Sequence, residues 1–271
     1  MKKWRLLRLK VNDAFTNMAI DEAITTARTE GLVPNTLRFY RWKPSAVSIG
    51  RFQDVNNEVH VENCTRQGVD IVRRITGGGT VYHDFDDEIT YSVVVKETDF
   101  GTTDVVQTYN IISNGLIEAA KILGVEADFN PGDPRNCPSI AVNGKKISGS
   151  AQFHRHGVLL QHGTFLLDVD LEKMFTFLRV PWARNIEDVV CVARDKLTSI
   201  GREVNRKVGV DDTYEALILG FQKALKIELQ EEPMTPQERH LSEKLQNEKF
   251  SNDNWNLAGK TTLQVKESSH S

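Results

Sequence analysis

Cysteine is scarce: three in 271 residues, at Cys64, Cys137 and Cys191. An odd count with no CxxC pair excludes a disulfide framework and a cysteine-rich zinc site, and suits reduced thiols in a cytosol. Charge of one sign is lacking too. The 34 Lys+Arg and 37 Asp+Glu leave a net −3, so the chain as a whole is no nucleic-acid binder, though a local basic pocket is compatible with it. No apolar run approaches the roughly 18 residues that mark a membrane-spanning helix. Met1–Lys10 has basic residues but no apolar stretch, and reads as a strand rather than a signal peptide. The expectation is a cytoplasmic protein with neither nucleic acid nor membrane as partner. What is present is ordinary: 39% hydrophobic and 26% charged residues, enough to fill a core in one or two domains.

Periodicity predicts a strand over Trp4–Lys10 and a helix capped by Thr16 or Asn17 and stopped by Gly31. Strand-like runs follow at Thr36–Trp42, Ser45–Gly50, Val69–Arg74, Thr80–His83 and Glu88–Val95. Val105, Tyr109, Ile112, Leu116, Ala120 and Leu123 recur at helical spacing between Asp104 and Gly124. Asn143-Gly144, between Ser139–Val142 and Lys145–Ser148, predicts a hairpin with a type I′ turn. Further strand is expected at Val158–Leu160 and Thr164–Asp168. Helices are expected after Asp170, after Asp211, and from Thr235-Pro236 to about Lys249. The fold class is α+β (mixed α/β), with one domain over 1–259 and a frayed tail over 260–271.

Chemistry concentrates in two segments. The first is Arg73-Arg-Ile-Thr-Gly-Gly-Gly-Thr-Val-Tyr-His-Asp84. Two planar cations after an apolar strand, then three glycines that let backbone N–H groups approach a ligand, make an anion cradle; a Gly-rich turn with solvated arginines is the plainer alternative. It is neither a Walker A loop nor a GxGxxG fingerprint. The second is Asn143-Gly-Lys-Lys-Ile-Ser-Gly-Ser-Ala-Gln152. Strand alternation puts Ile147 on the face of Lys145, so with Ile147 in the core Lys146 faces the other side, where a ligand can lie. Most lysines after a turn are nonetheless solvated.

Together, RRITGGGTVYHD and GKKISGSA resemble the lipoate–protein ligase A family of the biotin/lipoate ligase superfamily. NMAIDEAI (Asn17–Ile24), LRFYRWKPSAVSIGRFQ (Leu37–Gln53), LQHGTFLLDVDLEKM (Leu160–Met174) and FSNDNW (Phe250–Trp255) extend the resemblance to roughly residues 4–257. It implies a biotin/lipoate ligase-like catalytic domain with largely antiparallel or mixed sheets flanked by helices. It also implies an ATP- and Mg²⁺-dependent ligase that converts lipoate or octanoate to an acyl-adenylate. The acyl group then passes to a lysine of a lipoyl acceptor domain, such as a 2-oxoacid dehydrogenase E2 or a glycine cleavage H protein. By the same resemblance Arg73, Arg74, Thr76, Gly77, Gly78, Gly79, Thr80 and His83 bind substrate or ATP. Lys146 is the essential lysine, and Asn136, Ser148, Gly149 and Ala151 complete its wall. No tightly bound cofactor is expected, and no metal-binding residue is assigned.

One departure opens a second reading. Many family ligases carry Asn-Asp before the lysine hairpin, where this chain has Asn136-Cys137-Pro138-Ser139. A cysteine there resembles the related octanoyltransferases, which use a thiolate and no ATP, and a nearby Lys146 suits a thiolate whose pKa must fall. The unbroken GGG and the YHD favour the ligase, which is the leading expectation; Cys137 favours the transferase. A non-catalytic lipoyl-binding protein is the third reading. The chain ends soon after FSNDNW, so the accessory domain common in single-chain ligases is expected to be absent, and a ligase of this form calls for a separate accessory subunit. His154, His156 and His162 read as surface histidines, Cys64 and Cys191 as inert, and Glu231–Lys249 as a solvated helix face.

Overall fold

The computed structural model describes residues 2–133 and 137–259. Its strands are β1 (Lys2–Asn12), β2 (Thr36–Trp42), β3 (Ala46–Ile49), β4 (Asp70–Arg73), β5 (Val81–His83), β6 (Glu88–Lys96), β7 (Asp128–Asn130), β8 (Ser139–Val142), β9 (Lys145–Arg155), β10 (Val158–Leu166) and β11 (Ile227–Glu231). Eight of them form a mixed sheet in the order β11-β1-β2-β6-β10-β9-β8-β7, and β4-β3-β5 form a small second sheet. The expected mixed α/β class, with largely antiparallel or mixed sheets flanked by helices, is what the chain adopts.

Alternation along the strands sorts the large sheet into two faces. Leu37, Phe39, Ile89, Tyr91, Val93, Val95 and Phe165 pack the first face against the helices Val105–Ile122 and Val210–Leu225. Those helices touch closely because both have glycine at the crossing. A Cβ on Gly220 would lie 2.4 Å from the Gly115 carbonyl oxygen. The second face carries Tyr40 and Trp42, with Thr90, His162 and Thr164 beside them, all buried. Helix Ala14–Thr29, the small sheet and the segment around Phe250 and Trp255 cover it.

Local signals hold where they are strongest. Asn143 and Gly144 both take positive φ, as a type I′ turn requires. Asp104 caps its helix, and Thr235 with Glu238 closes a capping box. Five readings are corrected. Asp13, not Thr16 or Asn17, caps the first helix, accepting from the Thr16 N–H. Val158–Leu166 is one unbroken strand, because it pairs along its whole length with β6. The helix after residue 209 is capped by Gly209 rather than Asp211, and the last long helix ends at Leu245 and passes into a π-helical turn over Gln246–Phe250. Glu238 does not lie on a solvated face. It is fully buried and holds Arg5 through two hydrogen bonds of 2.8 and 2.5 Å. Strand β11 carries no strong signal of its own, whereas helix Ile186–Arg194, absent from the expected elements, is capped by Asn185 and buries Val189, Val190 and Ala193 on one face. The tail after 259 lies outside the described residues, and no helix among those described is long and apolar enough to cross a membrane.

Candidate active site

Between the two sheets lies a cavity of about 220 Å³. Tyr40, Trp42, Thr90, His162, Gly163 and Thr164 supply its floor from the large sheet, and Met18 reaches in from the first helix. Ser48, Val81 and His83 come from the small sheet, Arg74 and Gly78–Thr80 from the glycine loop, and Lys146 and Gly149–Ala151 from β9. Exposed Cys137 stands at the rim. The two motifs are thus joined in space: the glycine loop between β4 and β5 lines the same cavity as β9.

Lys146 faces the cavity, while Lys145 turns outward and donates to the Arg194 carbonyl. Burial lowers the Lys146 pKa, against the charge of Cys137, which raises it. The side chain lies over Gly149: a Cβ built there would sit 2.8 Å from both Cε and Nζ of Lys146. Ser148 is the exception on this strand. Its partner is Ile140 and that of Lys146 is Ala141, so Ile147 is an extra, bulged residue. The bulge turns Ser148 into the core, where its hydroxyl finds no partner among the described residues, and leaves Gly149, Ser150 and Ala151 on the cavity.

The two arginines are spent inside the protein. Arg73 points away from the cavity and clamps the later chain: its Nε donates to the Trp255 carbonyl and its Nη atoms to those of Gly50, Gln53 and Leu257. Trp255 Nε1 returns a bond to the Arg73 carbonyl. Arg74 borders the cavity but donates to Thr76 Oγ1 at 3.2 Å, to the Ser48 carbonyl and hydroxyl at 2.9 and 2.8 Å, and to the carbonyls of Gly77 and Gly79 at 2.9 Å each. A guanidinium has five N–H groups, so none remains for an anion. Burial lowers the Arg74 pKa to about 10, which leaves it a cation at neutral pH. Of the two arginines expected to border the anion, Arg74 lines the cavity with its donors committed to the protein, and Arg73 lies outside it.

Two matching relays end on Arg74. Ser48 Oγ lies 2.7 Å from His83 Nε2, and His83 Nδ1 2.7 Å from Glu88. Thr76 Oγ1 lies 2.9 Å from His162 Nε2, and His162 Nδ1 2.9 Å from Asp21. Each hydroxyl accepts from Arg74 and can donate a hydrogen bond to the imidazole Nε2, so the geometry at both histidines fits the Nδ1–H tautomer. Burial lowers the His162 pKa, against Asp21. Burial also pushes Asp21 up, but Arg38 and His162 outweigh it and hold the carboxyl below its ordinary range. Thr76 and Gly77 thus support the loop without lining the cavity. His162, expected on the surface, is buried at the centre of the site. An isolated histidine in a strand gives no local sign of that. Ser48, Trp42 and Met18 were equally silent in the sequence. Asn136 lies outside the described residues.

Cys137 meets three of these groups. A Cβ on Gly78 would lie 3.8 Å from its Sγ, and its charge couples to both Arg74 and Lys146. Cys64, by contrast, is fully buried, and burial pushes its thiol up to about 11. Among the described residues no cluster of His, Cys, Asp or Glu could hold a metal.

The sequence matches the family described as lipoyl protein ligase A/B catalytic domain over residues 13–222. It is 36% identical to the octanoyltransferase LipM of Brevibacillus brevis, across 95% of this chain and 99% of that protein. It is 38% identical to the octanoyltransferase LipM of Symbiobacterium thermophilum, across 94% and 98%. Among solved structures, a bi-partite lipoate protein ligase from Thermoplasma acidophilum is 30% identical, with a TM-score of 0.83 over 97% of this chain and 99% of that one. These likenesses correct the leading expectation of an ATP-dependent lipoate ligase. Relatives at 33–38% identity along nearly the whole chain carry the name octanoyltransferase.

Proposed function

The chain belongs to the lipoyl protein ligase A/B catalytic domain family of enzymes, and from that membership we propose that it is an acyltransferase acting through Cys137. It takes an octanoyl group from the thioester of a carrier protein and gives it to a lysine of a lipoyl acceptor domain. The observation that carries this reading is the place of Cys137: at the cavity rim, beside Gly78, coupled to the charges of Arg74 and Lys146. Thiolate is the reactive form of cysteine.

In the first half-reaction the Cys137 sulfur attacks the thioester carbon. A new C–S bond forms, the carrier thiolate leaves, and the Lys146 ammonium gives it a proton. In the second, the acceptor amine attacks the enzyme thioester, the C–S bond to Cys137 breaks, and neutral Lys146 takes the surplus proton. The downward pKa shift that burial gives Lys146 suits it to both roles. A thioester is already an activated acyl donor, so this chemistry calls for neither ATP with Mg²⁺ nor an accessory subunit. The commitment of all five Arg74 donors to the protein itself supports that reading.

The test is incubation with octanoyl carrier protein in the absence of ATP, followed by intact-mass analysis. An octanoyl adduct is expected on the wild type and not on Cys137→Ala. An acceptor domain modified equally well by Cys137→Ala would overturn the reading.

A further inference from the structure

The glycine loop holds its peptides in a defined alternation. The carbonyls of Gly77 and Gly79 both point at the Arg74 guanidinium. In a trans peptide the C=O and the following N–H point in opposite directions. The N–H groups of Gly78 and Thr80 are therefore directed away from Arg74. Neither donates a hydrogen bond to another described residue. The Gly78 carbonyl is seated against Gly50, where a Cβ would come within 2.1 Å of its oxygen. The loop is thus pinned from two sides while two of its donors stay unused, and a Cβ at Gly78 would lie 3.8 Å from the sulfur of Cys137.

We propose that the main-chain N–H groups of Gly78 and Thr80 are the oxyanion-binding donors of this site, with Arg74 as the positioning residue that aims them. The proposal rests on the acyl-transfer reading. When the Cys137 sulfur bonds to the thioester carbon, the carbonyl π pair moves onto oxygen. The negative charge then needs donors that were in place beforehand. When the leaving group departs, that pair re-forms the carbonyl. A tetrahedral centre of the same kind arises in both half-reactions, so the same donors serve twice. The alternation also gives the two relays a purpose. Glu88–His83–Ser48 and Asp21–His162–Thr76 fix the hydroxyls that hold Arg74 in its one orientation.

The test compares two reactions of the same sulfur in Arg74→Lys. This variant keeps the cation but loses the planar fork that holds two carbonyls. Octanoyl thioester transfer onto Cys137 passes through an oxyanion, whereas alkylation by iodoacetamide does not. The expected result is an acylation rate about 100-fold lower or more, as for loss of one oxyanion donor. Alkylation changes less than about threefold, and the KM for the thioester stays near the wild-type value. If Arg74→Lys does not fold, Gly50→Ala displaces the Gly78 carbonyl and carries the same comparison. Equal losses in both reactions, or no loss in either, would overturn the oxyanion assignment alone. A wild type that octanoyl thioester does not acylate would instead remove the acyl-transfer reading beneath it.

Discussion

Lys146 rests on Gly149, three residues further along its own strand: a Cβ at Gly149 would meet the lysine Cε and Nζ at 2.8 Å. What such a Cβ displaces is the far end of a flexible side chain, not backbone. Gly149→Ala is therefore expected to push the ammonium out of place while the fold survives. Acyl transfer should drop by at least about tenfold, the low side of what a misplaced acid–base group costs, with a melting temperature near that of the wild type. Rate assays beside thermal melts check this; a variant that melts early would show that Gly149 is structural.

The helix crossing is the converse case. Gly220→Ala would place a Cβ 2.4 Å from the Gly115 carbonyl and 2.6 Å from the Ala119 nitrogen, both backbone atoms. Backbone cannot step aside cheaply, so this substitution should destabilise by about 1–3 kcal/mol, the usual cost of overpacking. The crossing lies on the face of the sheet opposite the cavity, so activity at low temperature should persist. Urea unfolding provides the number.

Glu238 has two tasks: its carboxylate closes the capping box at Thr235 and neutralises buried Arg5. Glu238→Ala leaves a buried guanidinium without its counter-ion, which costs about 3–5 kcal/mol. Equilibrium unfolding should show that loss. Glu243→Ala, on an exposed part of the same helix, should change stability by less than about 0.5 kcal/mol.

Asp87 sets a pH dependence. Burial first, then the carboxylates of Asp84 and Asp168, raises its pKa to about 6, above an ordinary value of 3.8. The folded state therefore holds this proton more tightly than the unfolded state, and the penalty of ionising it is fully present above pH 6. That penalty fades as pH falls from 6 toward 3.8. Asp87→Asn should accordingly stabilise the protein at pH 7, and the gain should shrink on acidification and vanish below the unfolded value. Melting temperatures of both proteins across this range check it; a gain that grows toward acid would reverse the assignment.

Elements whose signal is local could be read in advance. Asn143-Gly144 demands its turn because only such residues accept two positive φ angles in succession. Asp104 and Thr235-Pro236 start helices by satisfying N–H groups within three residues of themselves. Strand alternation was enough to send Lys146 and Lys145 to opposite sides. It failed two residues later, at Ser148, because a bulge depends on the partner strand and leaves no mark in the strand that carries it.

The sequence by itself determined the fold class, the motifs that place the chain in its family, and the two segments where chemistry gathers. Periodicity, capping and glycine content act over a few residues and need no partner. The tertiary structure decided what those residues do. Arg73 found its carbonyls around Trp255, about 180 positions away, and Arg74 closed all five of its donors on Ser48, Thr76 and the glycine loop. His162 became central only because β10 runs beneath that loop. A buried cation takes whichever acceptors the folded chain brings within hydrogen-bonding range, and that set exists only after distant segments have converged.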